Sequence, residues 1–225
     1  VSPSTSAPRK RSSASPGITI RPDSGTPAPW QPLLQWWFGE GSTASQIAAQ
    51  RNRLWFGYRQ AQDAEARERF GGLAAQALQG GLSDWAQTPD GWLALLILLD
   101  QLPRMIHRGK PEAFAGDAAA QALLDRGLAH GLAGALAPIQ QVFCYLVLEH
   151  AEDLGRQERG VVAFAALADL HRDEERAIFD DFLAFARKHR DVVARFGRFP
   201  HRNEILGRLS TEEEKDFLRR PGSRF

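Results

Sequence analysis

The sequence predicts an all-α chain, an antiparallel array of helices behind a disordered N-terminal tail. Three observations carry that prediction. From Trp30 onward apolar residues recur at helical spacing, no stretch keeps the two-residue alternation of a strand, and Gly, Pro and capping residues cut the chain into helix-length segments.

Residues 1–29 are Ser, Pro, Thr and Arg with almost no apolar periodicity. Ordering such a segment costs about 1–2 kcal/mol per residue, and it has too little apolar surface to offset that. It is acid-poor up to Asp23, as transit peptides are, but it carries no amphipathic or apolar core segment and no targeting signal is assigned. Residues 30–225 are expected to form a single all-α domain. Trp37, Phe38, Leu54, Trp55 and Phe56 anchor two short helices, with Ser42, Thr43 and Ser45 as caps between them. Trp36 and Trp37 fit either a core or a dimer face. Asp63-Ala64-Glu65 opens a helix with Phe70, Leu73, Ala74, Ala77 and Leu78 on one stripe, ended by Gly80-Gly81. Thr88-Pro89-Asp90 opens a Leu-rich helix through Leu102, which Pro103 is expected to stop.

After the turn at Gly109-Lys110-Pro111, Asp117 reads as the N-cap of a helix to His130. Pro138 sits in the first turn of the next, which runs to about Leu154. Another helix follows Gly155, then a long one from about Asp173 to Phe196, with Gly197 beyond its end. Ser210 and Glu213 have the spacing of a capping box for a last helix through Leu218.

Composition excludes some functions. Across 225 residues, 28 basic and 27 acidic groups leave a net charge of +1, which removes any bulk attraction to nucleic acid or to an acidic membrane. No apolar run reaches the about 18–20 residues that span a bilayer. The one cysteine, Cys144, lies in an apolar run and reads as a buried hydrophobe. It points to a reducing, cytoplasmic setting and rules out an internal disulfide or a thiolate metal site.

Four charged clusters exceed what a helical core needs. The first is Asp100-Gln101-Leu102-Pro103-Arg104 with His107, at the end of a helix apolar on every side. A carboxylate there is either a structural ion pair, with Arg104 or an Arg from elsewhere, or part of a pocket lining. The second is Glu149, His150, Glu152, Asp153 and Arg156. On a continuous helix Glu149, Glu152 and Asp153 would share one face, with His150 oriented by Asp153. Either that face is solvated or it meets an Arg or metal partner. The spacing matches no zinc motif, so no metal is assigned. The third is His189, on the apolar stripe of the long helix, where it must find a hydrogen-bond partner. The fourth packs Arg195, Arg198, His201, Arg202 and Asn203 beside a helix expected to open near His201. Guanidinium forks at a helix start would hold a phosphate or carboxylate, or else serve as the partners of Asp100, Glu149 and Asp153.

Five blocks resemble a bacterial family known as domain of unknown function 924. They are Trp37-Phe38-Gly39, Asp63 through Phe70, Leu98 through Arg104, Leu148 through Asp153, and His189-Arg190-Asp191 on through Gly197 to Asn203. The resemblance covers about Trp36 to Phe225 and implies a fold similar to tetratricopeptide-repeat helical arrays. It carries no agreed activity, so no catalytic residue follows from it. It does place Asp100, Arg104, Glu149, His150, Asp153, His189, Asp191, Arg198, His201, Arg202 and Asn203 in the family's recurring motifs. Met105, His107 and Val147 depart from its usual residues.

The residues therefore leave three functional expectations. One is a helical protein that binds a small anionic ligand or a partner peptide through Asp100, Arg104, Glu149, His150, Asp153, Arg198, His201, Arg202 and Asn203. Another is a hydrolase or transferase in which His189 or His201 is the base, Glu149 or Asp153 orients it, and Arg198 and Arg202 clamp the anion. The third is a structural ion-pair network with no ligand. No phosphate loop, nucleophile elbow or dinucleotide fingerprint is present, which weighs against the enzyme, and the cofactor is left open.

Overall fold

Trp92 through Gln101 are buried without interruption, so the chain wraps its other helices around this one stretch. The computed structural model describes residues 27–223. The tail expected over residues 1–29 falls almost wholly outside them. Among the described residues the regular structure is helical, with no strand.

Helix α1 (Gln31–Phe38) ends at Gly39, whose φ of 72° suits glycine, and α2 (Ala44–Trp55) follows from an N-cap at Thr43. The N-terminus of α2 receives a second cap from a distant residue, because Glu175 accepts from the backbone N–H groups of Ala44 and Ser45 at 3.1 and 2.9 Å. α3 (Gln60–Leu78) begins three residues before the expected Asp63. Trp36 and Trp37 are 8% and 1% exposed and lie in the core. Trp37, Phe38 and Trp55 all meet the Phe143 ring edge-on, and the Trp55 indole N–H donates to the Trp37 carbonyl.

The central stretch departs from expectation at Pro103. Helix α4 (Pro89–Leu96), capped by Thr88, runs into a π-helical turn at Ile97–Gln101 and then α5 (Leu102–Ile106). A proline lacks the N–H that an α-helix would bond four residues back. Here the Leu102 N–H instead reaches the Ile97 carbonyl, and Pro103 enters the second position of α5, where no donor is needed. The helix is re-aimed rather than stopped, and Asp100 sits in the widened turn.

Helix α6 (Asp117–Ala129) has Gly116, not Asp117, at its N-cap, which leaves the Asp117 carboxylate for other partners. It packs closely on α4: the Trp92 indole donates to the Leu123 carbonyl at 3.0 Å, and Gly127 leaves room for that ring. α7 (Pro138–Glu149) stops at Glu149 instead of near Leu154, and Asp153 caps the next helix, α8 (Leu154–Asp169), by accepting from the Arg156 N–H. α9 (Asp173–Phe196) runs along α8 and ends at Gly197 (φ 70°). Four and three residues join these last three helices, the short connections of antiparallel neighbours.

Beyond Gly197, residues Pro200–Arg202 form one 3-10 turn and not the expected helix. α10 (Glu212–Leu218) has its capping box one residue later than expected. Thr211 and Glu214 exchange the reciprocal bonds, while Ser210 accepts from Asn203 instead. Phe199 packs with Val192 and Val193 in a small second cluster that fixes this C-terminal segment to α9. No helix is long and apolar enough to cross a membrane among the described residues.

Candidate functional site

The π-turn, the end of α7, the last third of α9, the start of α6 and the 3-10 turn at Pro200 meet at one place. Asp100, 1% exposed, is its centre. His150 donates from Nδ1 at 2.8 Å, Gln101 from Nε2 at 2.6 Å, and Arg104 closes from the other side at 3.2 Å. Burial pushes the Asp100 carboxyl up, but Arg104 and His150 outweigh it and hold the group below the usual carboxylate range. An ionised carboxylate only accepts, so His150 Nδ1 carries a proton, and in the neutral ring the lone pair lies on Nε2. Among the described residues no group takes up that Nε2.

Arg104 spans two acids. It forks onto Asp117 at 2.8 and 3.0 Å and also donates to the Asp100 backbone carbonyl at 2.6 Å. Arg202 reaches the same Asp117 through one longer contact, 3.3 Å from Nη1. Its guanidinium lies between the rings of Phe114 and Phe199, at 4.7 and 4.6 Å. Arg202 is 6% exposed, and its Nε is buried with no hydrogen-bond partner. Burial and then the neighbouring Arg104 charge pull it down to about 10.

Next to this lies a second pair. Glu149 Oε1 is 3.1 Å from His189 Nδ1, which also meets the Phe185 carbonyl at 2.9 Å. Glu149 Oε2 is buried with no hydrogen-bond partner. Burial, with the Asp100 charge adding, pushes Glu149 up to about 8, so it is protonated at neutral pH. Burial is also the leading cause that takes His189 down to about 3 and His201 down to about 4, and Arg202 contributes to both. The 3-10 turn is held against the bundle by Glu152, which accepts from the Phe199 N–H at 2.8 Å and grips Arg208 at 2.6 and 2.8 Å.

These pKa directions fix the sign of a pH dependence. Between about pH 4.5 and 6.5 the unfolded chain carries protons on His189 and His201 that the fold lacks, while the fold carries one on Glu149 that the unfolded chain lacks. The contribution of these three groups therefore rises with pH up to about 6.5. Above that only Glu149 titrates, and stability falls by at most about 1.4 kcal/mol per unit toward pH 8. Glu149→Gln should be within about 1 kcal/mol of the native chain at pH 5 and more stable than it at pH 8.5, compared by urea midpoints. A variant less stable than native at pH 8.5 would show that the fold requires the ionised carboxylate.

Of the residues singled out in the sequence, Asp100, Arg104, Glu149, His150, His189, His201 and Arg202 come together here. Three others lie outside the cluster. Asp153 caps α8; Arg198 is forked onto Glu214 at 2.7 and 2.8 Å; and Asn203, 0% exposed, bonds Ser210. The expected acidic face does not form, because the break after Glu149 sends Glu149 inward, Glu152 to Arg208, and Arg156 to Asp125. His150 is oriented by Asp100, not by Asp153. Sequence reading missed Asp117 and Phe114. An Asp ahead of a helix reads as a cap, and nothing in its spacing betrays two arginines. Two grooves, of about 360 and 390 Å³, lie elsewhere: one lined by Arg67, Leu78, Pro103, Ile106 and His107, the other by Trp36, Glu40, Arg51 and Arg69.

Residues 33–222 match the family model for a bacterial protein of unknown function, DUF924. The chain belongs to that family. It is also similar to the protein of unknown function ATU0120 from Agrobacterium tumefaciens, whose solved structure superposes with a TM-score of 0.65 at 34% sequence identity, covering 78% of this chain and 96% of that one. A comparison with curated proteins returns no match. The DUF924 match thus takes in every residue of the cluster, together with the Glu152–Arg208 contact that holds its C-terminal turn.

Proposed function

We propose that this DUF924 protein binds a small anion, a carboxylate or phosphate, at the edge formed by Arg104, Arg202, His150 and His201. The observation that carries the reading is Arg202, a buried guanidinium sandwiched between two phenyl rings and fixed by one 3.3 Å contact, with an unused Nε donor and a second arginine beside it. A buried donor left without a partner calls for one, and Asp117, which already bridges the two guanidiniums, leaves the Arg202 Nε unused. The rings remove the rotamer entropy that binding would otherwise cost. The side chains of Arg104, Asp117 and His150 keep 18%, 16% and 17% exposure, which gives the ligand an approach. The single buried thiol, Cys144, supports placing this activity in the cytoplasm.

One observation favours a second reading, a structural network. Arg104 and Arg202 are matched by Asp100 and Asp117, so with Glu149 protonated the cluster is neutral without any ligand.

Isothermal titration calorimetry with inorganic phosphate and with propionate separates the two. Anion binding predicts saturable heat that falls at least about tenfold in affinity in Arg202→Ala, with Arg202→Lys between the two because a point charge cannot reproduce the fork. No heat from either anion, or affinity unchanged in Arg202→Ala, would leave only the structural network.

A further inference from the structure

The cluster is not a plain cation. Its guanidiniums supply donors only, whereas His150 supplies an acceptor. Asp100 is buried, ionised and bonded to His150 Nδ1 at 2.8 Å, so the imidazole tautomer is set, and Nε2 carries a lone pair that no group among the described residues uses. Gln101 and Arg104 hold Asp100 in turn, at 2.6 and 3.2 Å, so the acceptor is built on three fixed groups. Burial and the charge on Arg104, with Arg202 adding, keep His150 below the usual imidazole range, so the ring is neutral near pH 7. The side chain keeps 17% exposure, beside Arg104 at 18%.

A simple carboxylate or fully ionised phosphate offers only acceptors. Laid on the arginines, it leaves His150 Nε2 facing it without a donor. An anion that also carries a hydroxyl satisfies both sides. Resting on the anion-binding reading above, we infer that the site is built for a hydroxy acid, the carboxylate lying on the arginines and the hydroxyl donating to His150 Nε2. His150 is then a specificity-determining residue oriented by Asp100, which fixes the proton of the neutral ring on Nδ1 and so leaves Nε2 as the acceptor.

The test compares lactate, as each enantiomer, with propionate, which differs only by the hydroxyl. In the native chain at pH 7, at least one lactate enantiomer is expected to bind roughly threefold to tenfold more tightly than propionate, the worth of one ordinary hydrogen bond. In His150→Asn the amide can still donate to Asp100 but nothing reaches the Nε2 position, so the ratio of lactate to propionate affinity should collapse to about onefold, whatever the substitution does to the affinity for both. A second measurement needs no variant: the ¹⁵N resonance of His150 Nε2 should move toward the hydrogen-bonded range on adding lactate and stay in place on adding propionate. Equal affinities in the native chain, a preference that survives His150→Asn, or an unmoved Nε2 resonance would each overturn the inference and leave anion binding intact. If neither lactate nor propionate binds, the anion-binding reading fails along with it.

Discussion

Asp100→Ala is expected to lower the unfolding free energy by about 3–5 kcal/mol, the usual loss when one member of a buried ion pair is removed and its partners stay. Three groups lose their acceptor at once: His150 Nδ1 and Gln101 Nε2, both bonded to the carboxylate, and Arg104, left with Asp117 and a backbone carbonyl. Water cannot readily replace the carboxylate, because Asp100 is 1% exposed and the residues before it, Trp92 through Leu99, are buried as well. Domains of this size are stable by about 5–15 kcal/mol, so the variant should sit close to unfolding at 37 °C. Asp100→Asn separates charge from shape. It can still accept from His150, and should lose roughly half as much. It should also flatten the acid limb of the stability profile. The Asp100 carboxyl is held low in the fold, so its contribution is present above the unfolded value of about 3.9 and is lost as pH falls below it. Urea unfolding of native chain and both variants at pH 7 and pH 3.5 reads both effects. A loss under about 1 kcal/mol in Asp100→Ala would mean that the network is solvated and that His150 is not held as described.

The helices were legible because their signals are local. The stripe from Phe70 to Leu78, Thr88-Pro89 before a Leu run, and Gly197 after a long amphipathic pattern each act within a turn or two of backbone. The site was legible as a set of residues but not as a wiring diagram. Its contacts join positions 13, 50 and 85 apart, Arg104 to Asp117, His150 to Asp100 and Arg202 to Asp117. Among arginines packed into a few positions, spacing gives no way to tell that Arg198 is taken by Glu214 and that Arg202 turns inward between Phe114 and Phe199. The misread elements share one cause. Pro103 looked like a stop, and Glu149 through Asp153 looked like continuous helix, because local propensity was followed where tertiary contacts decide. A π-turn absorbs the proline, and Asp153 ends the ambiguity by capping α8.

Gly116→Ala should be the most damaging single methyl in the site, and it tests whether the start of α6 positions the arginines. Gly116 lies at φ −91° and ψ −8°, a conformation open to alanine, so backbone strain is not the issue. The obstacle is contact. An added Cβ would collide with the carbonyl oxygen of Leu99; the Cβ position is fixed by the backbone and the oxygen is itself backbone, so no side-chain rotation relieves the clash. Relief requires α6 to lift from the π-turn. Asp117 follows Gly116 directly and accepts from both Arg104 and Arg202, so the same movement pulls the carboxylate away from one buried and one half-buried cation. Overpacking typically costs about 1–3 kcal/mol, and the weakened ion pairs add to it, so a total of roughly 3–4 kcal/mol is expected. Gly134→Ala is the matched control. No atom lies within 4 Å of its added methyl, and its effect should stay within about 0.5 kcal/mol. The decisive comparison is a double-mutant cycle by urea unfolding, with Gly116→Ala and Asp117→Asn alone and together. If α6 acts by carrying Asp117, the two losses are strongly sub-additive; full additivity would show that the glycine serves packing alone and that Asp117 reaches its arginines whatever the helix does.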